Sequence, residues 1–302
     1  MIALGYAFSK AGIIDAAAGR GITLFVFNVA IPALLFKTVA ALDSDTQAPW
    51  SLWLVFFGGI AIVWLVTIAV ARAFPSLAAS GGAAASMATG FGNLVMLGTP
   101  LALAHFGEEA AVPLGMILSV HAPILWFAAT LHREIARHSG GFALRRSMRE
   151  LLVNLATNAI VLALLGGTLW RVTGIGFHPV ASRMFDMLAE ASVPTALFAL
   201  GVSLAGYALR GSFSGMFAII GLKMVLLPAV VFALARYATG LPPLWIKLTV
   251  LFAAMPTGAN AFLFAQRNEE SVPAVSGAIA LGTALAALSA VLLLYLMDAG
   301  LI

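Results

Sequence analysis

Runs of roughly 20 apolar residues recur from one end of this chain to the other, each long enough to cross a hydrocarbon layer of about 30 Å. In lipid such a run must satisfy every backbone N–H and C=O internally or through its neighbours, which leaves only helices and closed barrels. Stretches such as Leu52 to Ala71 and Val275 to Met297 lack the alternation of a barrel strand, so bundled helices remain. The composition agrees: of 302 residues, 62% are hydrophobic and 9% charged, against about 25% charged in an ordinary globular domain. There is no cysteine, which excludes disulfides, thiolate metal sites and cysteine nucleophiles. The formal charge of +4 does not point to nucleic acid, because the basic residues gather in one loop between apolar runs. The apolar runs are too numerous, and continue too far along the chain, to be a cleaved signal peptide.

Cutting at charges and turn residues predicts full spans at about 22–41, 50–72, 82–105, 111–131, 151–170, 187–209, 213–237, 247–266 and 272–297. A shorter stretch, Met1 to Phe8, precedes them and has about half the length of a crossing. It counts as span 1, a half-span or the end of a longer helix. The loop from His132 to Glu150 holds Arg133, Arg137, Arg145, Arg146 and Arg149, which places it in the cytoplasm by the positive-inside rule. The cytoplasmic side then also collects Lys10, Arg20, Arg72, Arg210 and Arg267, and the outer side Arg171, Arg183, Arg236 and Lys247. Both termini fall outside, with Asp43, Asp45, Glu108 and Glu109.

The halves of the chain repeat. AIPALLF at 30–36 matches SVPTALF at 192–198, aligning Pro32 with Pro194, and EEAAVP at 108–113 matches EESVP at 269–273, aligning Pro113 with Pro273. With about five spans per copy the second copy begins with opposite orientation, so the repeat is inverted. The expected organisation is a first repeat over 1–131, a basic loop over 132–150 and a second repeat over 151–302. Spans 4 and 9 correspond, and both are interrupted by Gly, Pro, Thr and Asn: FGNLVMLGTP at 91–100 and MPTGAN at 255–260. Proline removes a helical donor and clashes with the preceding turn, and unwound backbone at membrane depth is tolerated only against protein or a watered cavity. One such break is as well explained by a kink. Two at matching positions, each beside an asparagine, point to a binding site.

Asn93 and Asn260 are mid-depth amides that can donate to a carboxylate. Thr99 and Thr257 flank the prolines and serve equally well as ligand groups or as donors to freed carbonyls. Lys223, five residues before Pro228, is the deepest formal charge. It either favours an anion or bridges carbonyls of the broken helix, and the second role is the commoner one for such a group. His121, beside Pro123, is a candidate proton relay, although a lone histidine of this kind is more often a neutral hydrogen-bonded group. Lys37 is expected to snorkel, and no carboxylate lies deep in a span, Asp186 and Glu190 being near the outer end of span 7.

At these motifs the sequence resembles the auxin efflux carrier family, whose bacterial members include malonate and other organic-acid transporters. The resemblance rests on PALLF at 32–36, GNLVMLGTP at 92–100, the run from Pro194 to Leu204, LKMVLLP at 222–228 and PTGANAFLFA at 256–265, and covers most of the chain. It implies an all-α polytopic membrane protein of about ten transmembrane helices in two inverted five-helix repeats, with helices 4 and 9 broken and crossing at Pro100 and Pro256. Asn93, Asn260 and neighbouring polar groups would line the substrate site. The short first helix departs from the family, whose members begin with a complete one.

The function expected is secondary transport of small organic anions by alternating access, malonate-like dicarboxylates ahead of auxin-like acids. A sodium-coupled symporter of the bile-acid type and a non-transporting receptor are the alternatives. An enzyme is not expected, since there are no paired intramembrane aspartates, no HExxH and no serine nucleophile constellation. No cofactor or metal is expected, and the coupling ion, proton or sodium, is open. The partners expected are the anion and membrane lipid, with a homodimer admissible.

Overall fold

Apolar runs bounded by Gly, Pro and Asn fold into helices that end where those residues stand. The computed structural model describes residues 1–41, 50–137, 148–149, 152–153, 156–205, 213–237 and 240–301. Asp43, Asp45, Arg145, Arg146 and Arg210 lie outside them. Six helical stretches in the described residues are long and apolar enough to cross a membrane: Ala16–Ala40, Trp50–Ala71, Leu94–Ala136, Pro179–Ser203, Phe213–Tyr237 and Val272–Asp298. Ala159–Thr173 and Pro243–Ala254 are shorter apolar helices. Large apolar side chains stand on the outside, as Leu288, Leu292 and Tyr295 do along one side of the last helix, a surface that suits lipid and not water.

The chain falls into two compact units, each drawing on both halves of the sequence. The first comprises Met1–Pro49, Val95–Val120 and Leu155–Gly206. It contains α1 (Ile2–Lys10), α2 (Ala16–Phe25), α3 (Ile31–Ala40), α6 (Thr99–Phe106), the start of α7 (Ala111–Ala136), α8 (Ala159–Thr173) and α9 (Pro179–Leu204). α1 packs on α9 and α3 on α8, both through glycine. A Cβ on Gly5 would stand 2.2 Å from the Phe198 carbonyl oxygen, and one on Gly201 2.0 Å from that of Ile2. A Cβ on Gly167 would stand 2.6 Å from the carbonyl oxygen of Phe36. Backbones this close admit no side chain, and dispersion across them replaces the hydrophobic drive that lipid does not supply. At one end of this unit Phe36 stacks on Phe185 and Trp170 on Phe177, with centroids 5.1 and 5.4 Å apart. Lys37 does not snorkel alone but pairs with Asp186.

The second unit comprises Trp50–Leu94, His121–Asn154 and Tyr207–Ile302. It holds α4 (Trp50–Ala71), α5 (Ala83–Gly90), the end of α7, α10 (Phe213–Gly221), α11 (Leu227–Tyr237), α12 (Pro243–Ala254), α13 (Ala259–Asn268) and α14 (Val272–Asp298). α4 packs on α5 and α11, with Gly59 against Val231. Among the described residues, the non-glycine residues with positive φ are Ser80, Glu269 and Ser271, and Glu270 joins them. One carboxylate oxygen of Glu270 accepts from Ser80 Oγ at 2.6 Å and from Arg133 Nε at 3.1 Å, with Arg137 Nη2 at 3.5 Å. Such conformations cost about 1–3 kcal/mol each and persist where the surroundings over-determine them. Here an ion cluster centred on the buried Glu270 ties the turn before α5 and the end of α7 to the turn between α13 and α14. Arg133, expected in the basic loop, lies in the last turn of α7, and together with Arg137 just beyond it has a structural task.

Prolines in these helices are absorbed rather than obeyed as stops. Turns widened to π geometry at Val26–Ala30, Leu94–Gly98 and Leu222–Leu226 come just before Pro32, Pro100 and Pro228. A wide turn relieves the clash between the proline ring and the carbonyl one turn back.

Candidate functional site

Two breaks cross in the second unit. α5 ends at Gly90 and α12 at Ala254, and the residues after each, Phe91 and Met255, are extended. The two extended segments pair antiparallel through a bridge between Gly92 and Thr257. Asn93 N–H donates to the Pro256 carbonyl at 2.7 Å, and Gly258 N–H to that of Phe91 at 2.9 Å. Gly258 has no room for more: a Cβ there would lie 2.9 Å from the Gly92 carbonyl oxygen. Helix resumes at Leu94 on one strand and at Ala259 on the other. Two helix C-terminal ends, with negative partial charge, and two N-terminal ends, with positive partial charge, thus meet at one backbone crossing.

Each half-helix ends with carbonyls that have no partner within the helix, and side chains from elsewhere supply donors. Thr257 Oγ1 donates to the Ala88 carbonyl at 2.9 Å, across the crossing. Lys223 Nζ, from the π turn before α11, donates to the Ala253 carbonyl at 2.9 Å. His121 hydrogen-bonds the Gly90 backbone, its ring 4.5 Å from that of Phe91, and its Nε2 is buried with no partner among the described residues. Lys223, His121 and Thr257 are all buried, Lys223 completely. Asn93 and Asn260 are only half-buried. Asn93 immediately precedes the helix resuming at Leu94, and Asn260 is the second residue of α13, so both amides stand at the electropositive N-terminal ends.

The sequence-predicted residues therefore separate into groups. Asn93, Pro256, Thr257 and Asn260 are brought to the crossing, and Lys223 reaches it from α10–α11. The interruption of span 4 lies at Phe91–Asn93, and Pro100 stands further on, in the first turn of α6, where the helix continues. Thr99, beside it, is buried and belongs, like Pro100, to the first unit. Sequence reasoning missed the part played by Gly92 and Gly258, although a glycine next to the asparagine or threonine of each break was there to be read. It also missed the burial of Glu270, whose motif served only as a repeat marker.

Thr257→Val tests the carbonyl arrangement. The shape is kept, the Ala88 carbonyl is orphaned in a dry interior, and the loss is about 1–3 kcal/mol. The thermal midpoint of the purified protein is expected to fall by several degrees. An unchanged midpoint means that another donor serves Ala88.

Comparison with known proteins points to membrane transport. The family model for membrane transport proteins matches residues 1–294. A protein of Rhizobium meliloti (strain 1021) named "Putative malonate transporter" is 26% identical over 304 residues, covering 99% of this chain and 93% of that protein. "Auxin efflux carrier component 8" of Arabidopsis thaliana is 24% identical over 331 residues, covering 92% of this chain and 89% of that protein. An "Uncharacterized transporter" of Methanothermobacter thermautotrophicus is 27% identical over 298 residues, covering 96% and 92%. With its apolar helices and a match along nearly its whole length, the chain belongs to the membrane transport protein family, that of the auxin efflux carriers, as a multi-pass membrane protein.

Proposed function

We propose that this protein is a secondary transporter of small organic anions, exposing one mid-membrane site to each side in turn. The observation that carries the reading is the crossing itself, where two helix N-terminal ends each present a half-buried asparagine amide. N-terminal ends and amide donors bind carboxylates, through partial positive charge and through N–H groups aimed at the oxygens. Substrate-binding residues are Asn93 and Asn260, with Thr257 as a polar neighbour at the crossing and Thr99 a further candidate on α6. Pro256 sets one arm of the crossing, and Pro100 widens the helix leaving the other. His121 and Lys223 support the carbonyl ends. A three-carbon dicarboxylate is favoured over an aromatic acid by the name of the Rhizobium relative.

An inverted repeat accounts for the two-sided access. Phe36 and Phe198 are equivalent in the aligned motifs, and each offers its carbonyl to a glycine of the other repeat's first helix, Gly167 and Gly5. With spans 4 and 9 counted as broken crossings, the reading is about ten spans in the cell membrane, the 132–150 loop cytoplasmic and both termini outside. The test is counterflow of labelled malonate in proteoliposomes. Saturable exchange is the expected result, and binding of malonate without exchange would make the protein a receptor.

A further inference from the structure

The crossing holds a fully buried lysine that the anion site does not explain. Lys223 is fully buried, and its ammonium lies 2.9 Å from the Ala253 carbonyl oxygen and 3.2 Å from where a Cβ on Gly92 would stand. It therefore binds the C-terminal end of α12 and lies beside the extended segment that follows α5. Among the described residues no carboxylate pairs with it, and His121 is the titratable group beside it. Its counter-charge is backbone: each helix C-terminus carries about half a negative charge, so two of them balance about one positive charge. In carriers built on broken helices, half-helix C-terminal ends and unwound carbonyls are where coupling cations are coordinated.

We infer that the Lys223 ammonium is a resident cation at this crossing, occupying the position that a coupling sodium ion would otherwise fill. The inference rests on the transport reading for its consequence, that the carrier works without sodium, but not for the site itself. A monovalent cation matches the two helix ends in charge, whereas a divalent one leaves an uncompensated positive charge in a dry interior. Removing the side chain orphans the Ala253 carbonyl and leaves both helix ends unbalanced beside an empty volume, the conditions under which a small cation binds.

The experiment compares wild type, Lys223→Ala and Lys223→Arg in sodium, potassium and choline chloride at equal ionic strength. Thermal unfolding of the purified protein and malonate counterflow are both read. Wild type and Lys223→Arg are expected to have the same midpoint and the same exchange rate in all three salts. Lys223→Ala in choline is expected to lose exchange by about tenfold or more and to unfold at a lower temperature, as removing a buried charged partner does. Sodium is expected to raise its midpoint by several degrees, since an ion that binds only the native state stabilises it by mass action, and to restore exchange. Recovery of folded Lys223→Ala in sodium alone supports the inference equally. Failure of sodium to restore either the midpoint or the folded yield overturns it, as does sodium-dependent exchange by wild type. If wild type exchanges no malonate in any salt, the transport reading fails while the unfolding data still decide whether sodium replaces Lys223.

Discussion

Malonate exchange by the double variant Asn93→Ala, Asn260→Ala is expected to fall by at least about a hundredfold, with the protein still folded and monodisperse. The size follows from the chemistry: hydrogen bonds to a charged group contribute about 1.5–3 kcal/mol each, and a factor of ten is about 1.4 kcal/mol. Two such amides, one at each helix N-terminal end, therefore account for at least two orders of magnitude, and each single variant for about one. Folding is expected to survive because both side chains are half-buried and the backbone bond from Asn93 N–H to Pro256 is untouched by alanine. Exchange at the wild-type rate in the double variant would remove the asparagines from the site and leave the crossing as scaffold only. Loss of exchange together with loss of the folded protein would make the amides structural.

The largest effect on stability is expected at the contact between α1 and α9. Gly201→Val places a side chain 2.0 Å from the Ile2 carbonyl oxygen and 2.8 Å from the Tyr6 nitrogen, both backbone atoms that cannot rotate away. Overpacking a fixed contact costs about 1–3 kcal/mol or more, and relief here requires α1 to leave α9. The expected result is a drop in folded, monodisperse yield of several-fold and a lower unfolding midpoint. Gly221→Ala is the control, since nothing lies within 4 Å of the Cβ it would add. It is expected to be neutral or slightly stabilising, because alanine costs less than glycine inside a helix. Equal behaviour of the two variants would mean that α1 is not held by this contact.

Much of the architecture was legible because hydropathy is local. A run such as Trp50–Ala71 declares a membrane helix by length alone, and Gly-Asn at 92–93 and Pro-Thr-Gly at 256–258 mark where helix cannot continue. Proline position misled in one respect. Pro100 looked like the break, yet a widened turn carries the helix through it, and the unwound residues are those seven to nine positions earlier. Proline demands only that its missing donor and its ring be accommodated, and a single π turn does both. The burial of Glu270 was hidden for a related reason: a charged residue in a short loop between spans looks solvated until its arginine partners, in the last turn of α7 and just beyond it, are folded against it.

The sequence by itself determined that the chain lies in a membrane as helices, where two of those helices are interrupted and which polar residues stand at the interruptions. Only the tertiary structure decided what those residues do. Lys223 finds its carbonyl 30 positions away at Ala253, and Thr257 finds Ala88 at a separation of 169. The physical reason is that a chain position fixes apolar length and helix propensity, whereas the partner of an orphaned carbonyl is fixed by how two broken helices cross in space.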